Sequence, residues 1–331
     1  MQARASKRDF TEFDTSVKWT RSVKKSLLAG KRISFHPEHI IRALYRPFVI
    51  RQLYFDTHLN EMQNLMRDYF GDKGIAEKPA ILFTDPTGQK PFMVIASSLL
   101  PDAHTVGAAA GAIVLPSRVG PTAGSAENIT DWALAQFQSQ YDAAGAGSNG
   151  PLTKDAIFHY VYAVLHDPAY RETYAQNLKR EFPRIPFYDD FSRWADWGEA
   201  LMKLHIGYES VEPWLLERFD APDEKAKAAG LPPKTVLKAD KDAGVIVIDS
   251  ETQLTGVPSE AWTYRLGNRS ALEWILDQYK EKTPKDPTIR EKFNTYRFAN
   301  HKENVIDLLK RVTRVSIDTM KIVEDMKVTR R

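Results

Sequence analysis

A chain of 331 residues, 43% hydrophobic and 27% charged, has the size and composition of an ordinary globular protein able to bury a sizeable core. It has no cysteine, which excludes disulfides and thiolate metal sites and fits a cytoplasmic protein; no run of eighteen apolar residues marks a membrane span, and the basic start lacks the apolar core of a signal peptide. The net charge of +3 conceals a polarised distribution: residues 1–51 carry 12 Lys+Arg against 4 Asp+Glu, residues 257–331 carry 16 against 11, and the middle carries 18 against 28. Basic ends around an acidic centre suit a polyanion held by particular surfaces, and suit equally a basic arm docked on the acidic middle.

In chain order, residues 1–35 read as a basic arm with a short helix over 19–28 that Gly30 ends. His36-Pro-Glu-His39 offers two imidazoles without further ligands nearby, so a helix over 39–44 is expected in place of a metal site. Tyr45, Arg46, Phe48, Arg51, Tyr54 and Phe55 interleave aromatic and basic character, which fits either base stacking or a half-buried strand over 48–55. Two apolar runs, 80–83 and 92–96, flank Asp85-Pro-Thr-Gly-Gln-Lys90 and predict a hairpin. Its tip would project Gln89 and Lys90, residue types that read base edges, although a solvated tip has the same composition.

A strand over 112–115 leads to Ser117-Arg118, and a helix is expected over 129–141. Residues 143–151, rich in glycine and alanine, read as a linker; no Gly-Lys-Ser/Thr follows, so they make no phosphate loop. Thr153 caps a helix with Ile157, Tyr160, Val161, Val164 and Leu165 on one face, and His166-Asp-Pro168 breaks it. A second helix is expected over 169–181, an extended crossing over 182–187, and a third helix over 193–204. Segments 235–238 and 245–248 make another hairpin that 253–255 extends.

The stretch Tyr264-Arg-Leu-Gly-Asn-Arg-Ser-Ala-Leu-Glu-Trp-Ile-Leu-Asp-Gln-Tyr279 carries the densest signal. Ser270 with Glu273 makes a capping box, and Leu272, Ile275, Leu276 and Tyr279 share one helix face. Gly267-Asn268 supplies a turn that tolerates positive φ. Arg265, Asn268 and Arg269 therefore sit before a helix N-terminus, where free N–H groups and the macrodipole favour a phosphate; a capped helix with solvated arginines fits the same residues. A last amphipathic helix over 302–326 places Val305, Leu308, Leu309, Val312 and Val315 on one face and Lys310, Arg314 and Lys321 opposite.

The stretch 264–279 is similar to the C-terminal specificity region of type ISP restriction–modification enzymes. Further blocks resemble that region in the same order from about residue 22 to 323: Leu44-Tyr-Arg-Pro-Phe48, Leu53-Tyr-Phe-Asp56, Lys90-Pro-Phe-Met-Val94, Leu100-Pro-Asp-Ala-His104, Asn128-Ile-Thr-Asp-Trp132, Phe158–His166 and Phe182-Pro-Arg-Ile-Pro-Phe187. The resemblance departs at Val49, where an acidic residue is common. It implies a target-recognition region that binds duplex DNA for methyltransferase and helicase/nuclease domains carried elsewhere, the parent being an adenine-specific DNA methyltransferase/endonuclease.

The expected fold is α+β: β-hairpins and sheet, a helical block and a long C-terminal amphipathic helix. The expected division is a basic connector over 1–45, a β-rich recognition part over 46–142, a helical part over 151–220 and a hairpin with C-terminal helices over 232–331. The sequence holds no Asn-Pro-Pro-Tyr-like motif, no glycine-rich cofactor loop and no Walker A lysine, so neither catalysis nor a cofactor is expected of this chain. The alternative is a scaffold that packs on a methyltransferase and reads little DNA. Expected DNA contacts are Gln89, Lys90, Arg118, Arg265, Asn268, Arg269, Lys310 and Arg314.

Overall fold

The computed structural model describes residues 19–61, 63, 65–86, 90–107, 110–120, 126–143 and 152–331. Gln89 lies outside them, as do the start of the arm and most of the Gly/Ala linker. The fold is α+β, as the sequence implied.

Helix α1 (Arg21–Leu28) is capped by Thr20, whose hydroxyl accepts from the Val23 N–H, and ends at Gly30 with φ 66°. The helix expected over 39–44 is instead strand β1 (Ile40–Arg46), preceded by one 3-10 turn at Pro37–His39. Ile40-Ile41 favours extended backbone, and β1 pairs antiparallel with β2 (Val49–Tyr54). Their tight turn holds Phe48 at φ 58°, an uncommon conformation for a bulky residue. Full burial of the ring, edge-on to Tyr208 and Tyr264, compensates.

After α2 (Met66–Phe70) come β3 (Ile75–Thr84), β4 (Val94–Leu99) and β5 (Ala112–Pro116), an antiparallel sheet in the order β4-β3-β5. Its faces feed two different cores. Ala80, Leu82 and Ile95 belong to one cluster, while Ile81, Phe83, Val94 and Ala96 belong to the other. That two-sided burial explains why the two runs are continuously apolar and do not alternate. Strands β6 (Arg118–Val119) and β7 (Ala126–Glu127) then form a small antiparallel pair leading to α3 (Asp131–Ala143).

One layer over the sheet is helical. Helix α4 (Lys154–Val164), capped by Thr153, packs along α6 (Phe191–Ile206), with α5 (Pro168–Thr173) between them in sequence. The expected helix over 169–181 stops at Thr173 and resumes only as a 3-10 turn, Asn177–Lys179. The Tyr170 hydroxyl donates to the Arg184 carbonyl, drawing the following segment back across the helix.

The other layer is built from β8 (Glu217–Asp220), β9 (Thr235–Asp240), β10 (Val245–Asp249) and β11 (Thr252–Thr255), in the order β8-β11-β10-β9, with the short α7 (Glu224–Ala228) in the β8–β9 connection. A two-residue ladder, β12 (Arg265–Leu266) and β13 (Arg269–Ser270), opens into α8 (Ala271–Gln278). Helix α9 (Lys302–Val328) is the spine of the molecule: Val305, Leu309 and Val312 lie in the first core, Met326 in the second. An ion pair between half-buried Lys302 and buried Asp249, at 2.7 Å, ties its first turn to β10.

Candidate nucleic-acid interface

Three connections meet at one end of the β3–β4–β5 sheet. The first, between β3 and β4, is described at residues 85–86 and 90–93; Thr84 Oγ1 donates to the Pro91 carbonyl at 3.2 Å and accepts from the Met93 N–H at 3.1 Å. The second, residues 100–111, leads into β5. Its start is pinned to β1 by Leu44 N–H to Leu100 O and Asp102 N–H to Leu44 O, and Arg46 holds Asp102 at 2.8 Å. Its end is closed by Ala112 N–H to Ala103 O, while the Asp85 N–H donates to Gly111 O.

The third connection is the β12–β13 turn. Gly267 sits at φ 66°, and a Cβ there would lie 3.7 Å from the Pro91 carbonyl oxygen and 3.8 Å from Met93 Sδ. That contact sets the arginine loop directly beside the Lys90–Met93 segment. Below both lies Trp274 of α8: its Nε1–H donates to the Leu266 carbonyl at 3.0 Å, and its Cη2 faces Gly107 of the second connection. The sheet end therefore presents Lys90, His104, Arg265, Asn268 and Arg269 on backbone that is cross-braced. Lys90, Arg265, Asn268 and His104 are exposed, and Arg269 is half-buried.

The capping box is formed as expected, with Glu273 N–H donating to Ser270 Oγ at 3.3 Å and Ser270 N–H donating to Glu273 Oε2 at 2.8 Å. The helix terminus is nevertheless not the open anion seat that the sequence offered. The Ala271 N–H donates to the Tyr264 carbonyl, and the Glu273 carboxylate already occupies the end of the dipole. Burial pushes the Glu273 carboxyl up, but hydrogen bonds from Lys241 and Ser270 outweigh it and hold it below its ordinary value. An anion would be met by the arginines themselves. Arg265 donates to the Asn268 carbonyl, which braces the turn. Arg269 lies 5.0 Å over the Trp274 ring and 3.2 Å from Asp277.

The remaining expected contacts lie elsewhere. Ala112 of β5 pairs with Thr84, whereas Pro116 pairs with Ala80, so Arg118 is at the opposite end of the sheet from Lys90, about 13 Å along the strand. There it faces Glu77 at 3.6 Å in a cleft of about 560 Å³ that Arg67 and Lys78 also line. Arg118 Nε is buried and has no hydrogen-bond partner among the described residues.

Lys310 and Arg314 lie on the outer face of α9, which is mixed in charge and not uniformly basic. Arg311 pairs with Asp307 and Lys321 with Asp318, each at 2.7 Å. Arg314 is stacked 4.5 Å over Trp214, and the Trp214 N–H donates to the Lys310 carbonyl, so part of this face is covered.

The sequence reading passed over His104, Trp274 and Asp277 as parts of this surface. His104 lies in one of the motif blocks; it is exposed, and its Nδ1 is 3.0 Å from the Ala110 carbonyl. Among the described residues no three acidic or imidazole groups gather to hold a metal, and no helix is long and apolar enough to cross a membrane.

The fold is shared with solved structures. The chain is similar to one chain of a cryo-electron-microscopy structure of a DrdV–DNA complex, at 45% identity and a TM-score of 0.88, over 97% of this chain and 32% of that one. A nuclease-deletion mutant of the Type ISP restriction-modification enzyme LlaGI, in complex with a DNA substrate mimic, matches at 27% identity and a TM-score of 0.70, over 93% of this chain and 26% of that one. The ATP-dependent Type ISP enzyme LlaBIII, bound to DNA, shares the fold at 22% identity and a TM-score of 0.75, over 96% of this chain and 20% of that one. The chain thus spans a third or less of the length of these chains. No curated protein sequence matches it. A family description covers almost everything from the arm to the second turn of α9: with residues 2–308 matched, the chain belongs to the Type ISP C-terminal specificity domain family.

Proposed function

We propose that this chain is the target-recognition module of a restriction–modification enzyme and that it binds duplex DNA with the end of the β3–β4–β5 sheet. The observation that carries the reading is the close approach of Gly267 to Pro91, which sets a base-reading residue type, Lys90, beside a cationic turn, Arg265 to Arg269. In this division of labour the 85–90 connection reads base edges, and Arg265 and Arg269 hold the phosphate backbone. Arg118, with its neighbours Arg67 and Lys78, serves as a second backbone contact about one sheet length away. Lys310 is a peripheral contact; Arg314, stacked on Trp214, contributes mainly to the scaffold. The family membership and the DNA complexes of similar chains support this reading.

The chemistry belongs to other parts of such an enzyme. The absence from its sequence of cofactor, nucleotide and flipped-adenine motifs supports a non-catalytic role, with an adenine-specific methyltransferase and helicase/nuclease domains as partners in the cytoplasm. A scaffold role is favoured by one feature. Phe35 and Ile40 are exposed, and with Ile33, Tyr54 and Leu59 they line a shallow apolar cleft of about 540 Å³, suited to a catalytic domain of the parent enzyme.

One experiment separates the two roles. Fluorescence anisotropy of the pure chain with a duplex at two salt concentrations is expected to give a dissociation constant on the order of micromolar that weakens steeply with salt. Binding that ignores salt, or no binding at all, would leave the scaffold role.

A further inference from the structure

Arg269 is already paired inside the protein. Asp277, two turns along α8, offers one oxygen, Oδ2, to three donors: Arg269 Nη1 at 3.2 Å, Lys282 Nζ at 3.5 Å and Gln278 Nε2 at 2.8 Å. Two cations gathered on a single anionic oxygen reproduce the arrangement that a DNA phosphate would accept from them. The group is open to solvent, with Arg269, Asp277 and Lys282 side chains 38%, 29% and 60% exposed. The guanidinium plane is fixed from below by Trp274, itself tied to the Leu266 carbonyl.

We infer that Asp277 is an affinity-limiting residue: it competes with the DNA backbone for Arg269 and Lys282, and so holds down binding to every sequence, non-target sequence included. The inference rests on the DNA-binding reading above. Exposed ion pairs are weak, so a phosphate can displace this one. The displaced carboxylate then remains near the phosphate, and like charges repel. That penalty is the same for every sequence, because phosphates carry no sequence information. It lowers cognate and random affinity by the same factor; a cognate site, with its base contacts, keeps affinity to spare, whereas weak binding to a random site drops further.

The test is Asp277→Asn, which keeps shape and hydrogen bonding while removing the charge, with Asp277→Ser as a second variant. Both are measured in the full chain on a random-sequence duplex by anisotropy. The expected result is binding about 3- to 10-fold tighter than wild type, with a salt slope steeper by about one. Adding Arg269→Ala and Lys282→Ala to Asp277→Asn is expected to abolish the gain. Wild-type binding with no gain in either variant overturns this inference alone. No binding by wild type or variants overturns the DNA reading and this inference together.

Discussion

Gly267 and Pro91 lie 176 positions apart in sequence and side by side in the fold: a Cβ added to Gly267 would sit 3.7 Å from the Pro91 carbonyl oxygen. That is ordinary van der Waals distance, so space does not require the glycine; its φ of 66° does. Gly267→Ala is expected to lower stability by roughly 1–2 kcal/mol through backbone strain, with Gly267→Asn milder. Thermal melting of both variants checks this. An alanine variant as stable as wild type would show that the turn adapts.

The capping box should be measurable separately. Ser270→Ala removes the acceptor for the Glu273 N–H and is expected to cost about 1 kcal/mol. Denaturant unfolding should show a lower midpoint at unchanged slope. A loss well below that would mean that packing of Trp274 and Ile275 alone holds α8 in place.

Local signals of this kind were legible in the sequence, and long-range ones were not. The caps at Thr153 and Ser270, the β9–β10 hairpin and the length of α9 follow from residues within a few positions of one another. The β1 strand was misread as a helix because Ile40, Ile41 and Leu44 also fit a helical spacing; what decides between them is the partner strand β2. Strand β8, with the sequence Glu217-Arg-Phe-Asp220, is polar but for Phe219 and exposed along its length, so no apolar alternation marks it. In the site, the sequence named the arginine turn and the 85–90 connection separately. Their contact through Gly267 depends on how α8 packs, which no local pattern encodes. Lys310, Arg314 and Lys321 do share one face of α9, but the interleaved Asp307 and Asp318 and the covering Trp214 belong to the same face.

Helices α4 and α6 cross at Gly198, where a Cβ would lie 1.8 Å from the His159 carbonyl oxygen. Backbone cannot yield as a flexible side chain would, so Gly198→Ala is expected to push the helices apart and destabilise by about 1–3 kcal/mol. Because the site is remote, DNA binding by the folded fraction should be unchanged. A melting temperature equal to wild type would contradict the close approach.

Acid should destabilise the fold through a buried imidazole. His205 has Nδ1 2.6 Å from the Tyr162 hydroxyl and Nε2 2.9 Å from Thr319 Oγ1. Burial, reinforced by the charge of Arg171, takes it down to about 3. Between an unfolded value of about 6.5 and that folded value, only the unfolded chain binds the proton. Stability is therefore complete above about pH 6.5 and falls as pH drops, at about 1.4 kcal/mol per unit for this group. Melting temperature from pH 7 to 5 should decline, and decline less steeply in His205→Gln. Parallel profiles for the two proteins would rule out His205 as the cause.

Reading and gripping should separate by the kind of defect. Gln89→Ala and Lys90→Ala are expected to relax sequence preference in the parent assembly, each costing roughly 1–3 kcal/mol against the cognate site. Selection over randomised sites measures this. Unchanged preference in both variants would remove the 85–90 connection from the reading surface.

The most direct measurement is the salt slope of duplex binding for wild type and for Arg265→Ala/Arg269→Ala. If the turn beside Pro91 holds the backbone, log affinity against log salt should flatten by about one unit per lost phosphate contact, with all sequences weakened alike. Identical slopes and affinities for the two proteins would contradict a DNA-binding surface at this end of the sheet.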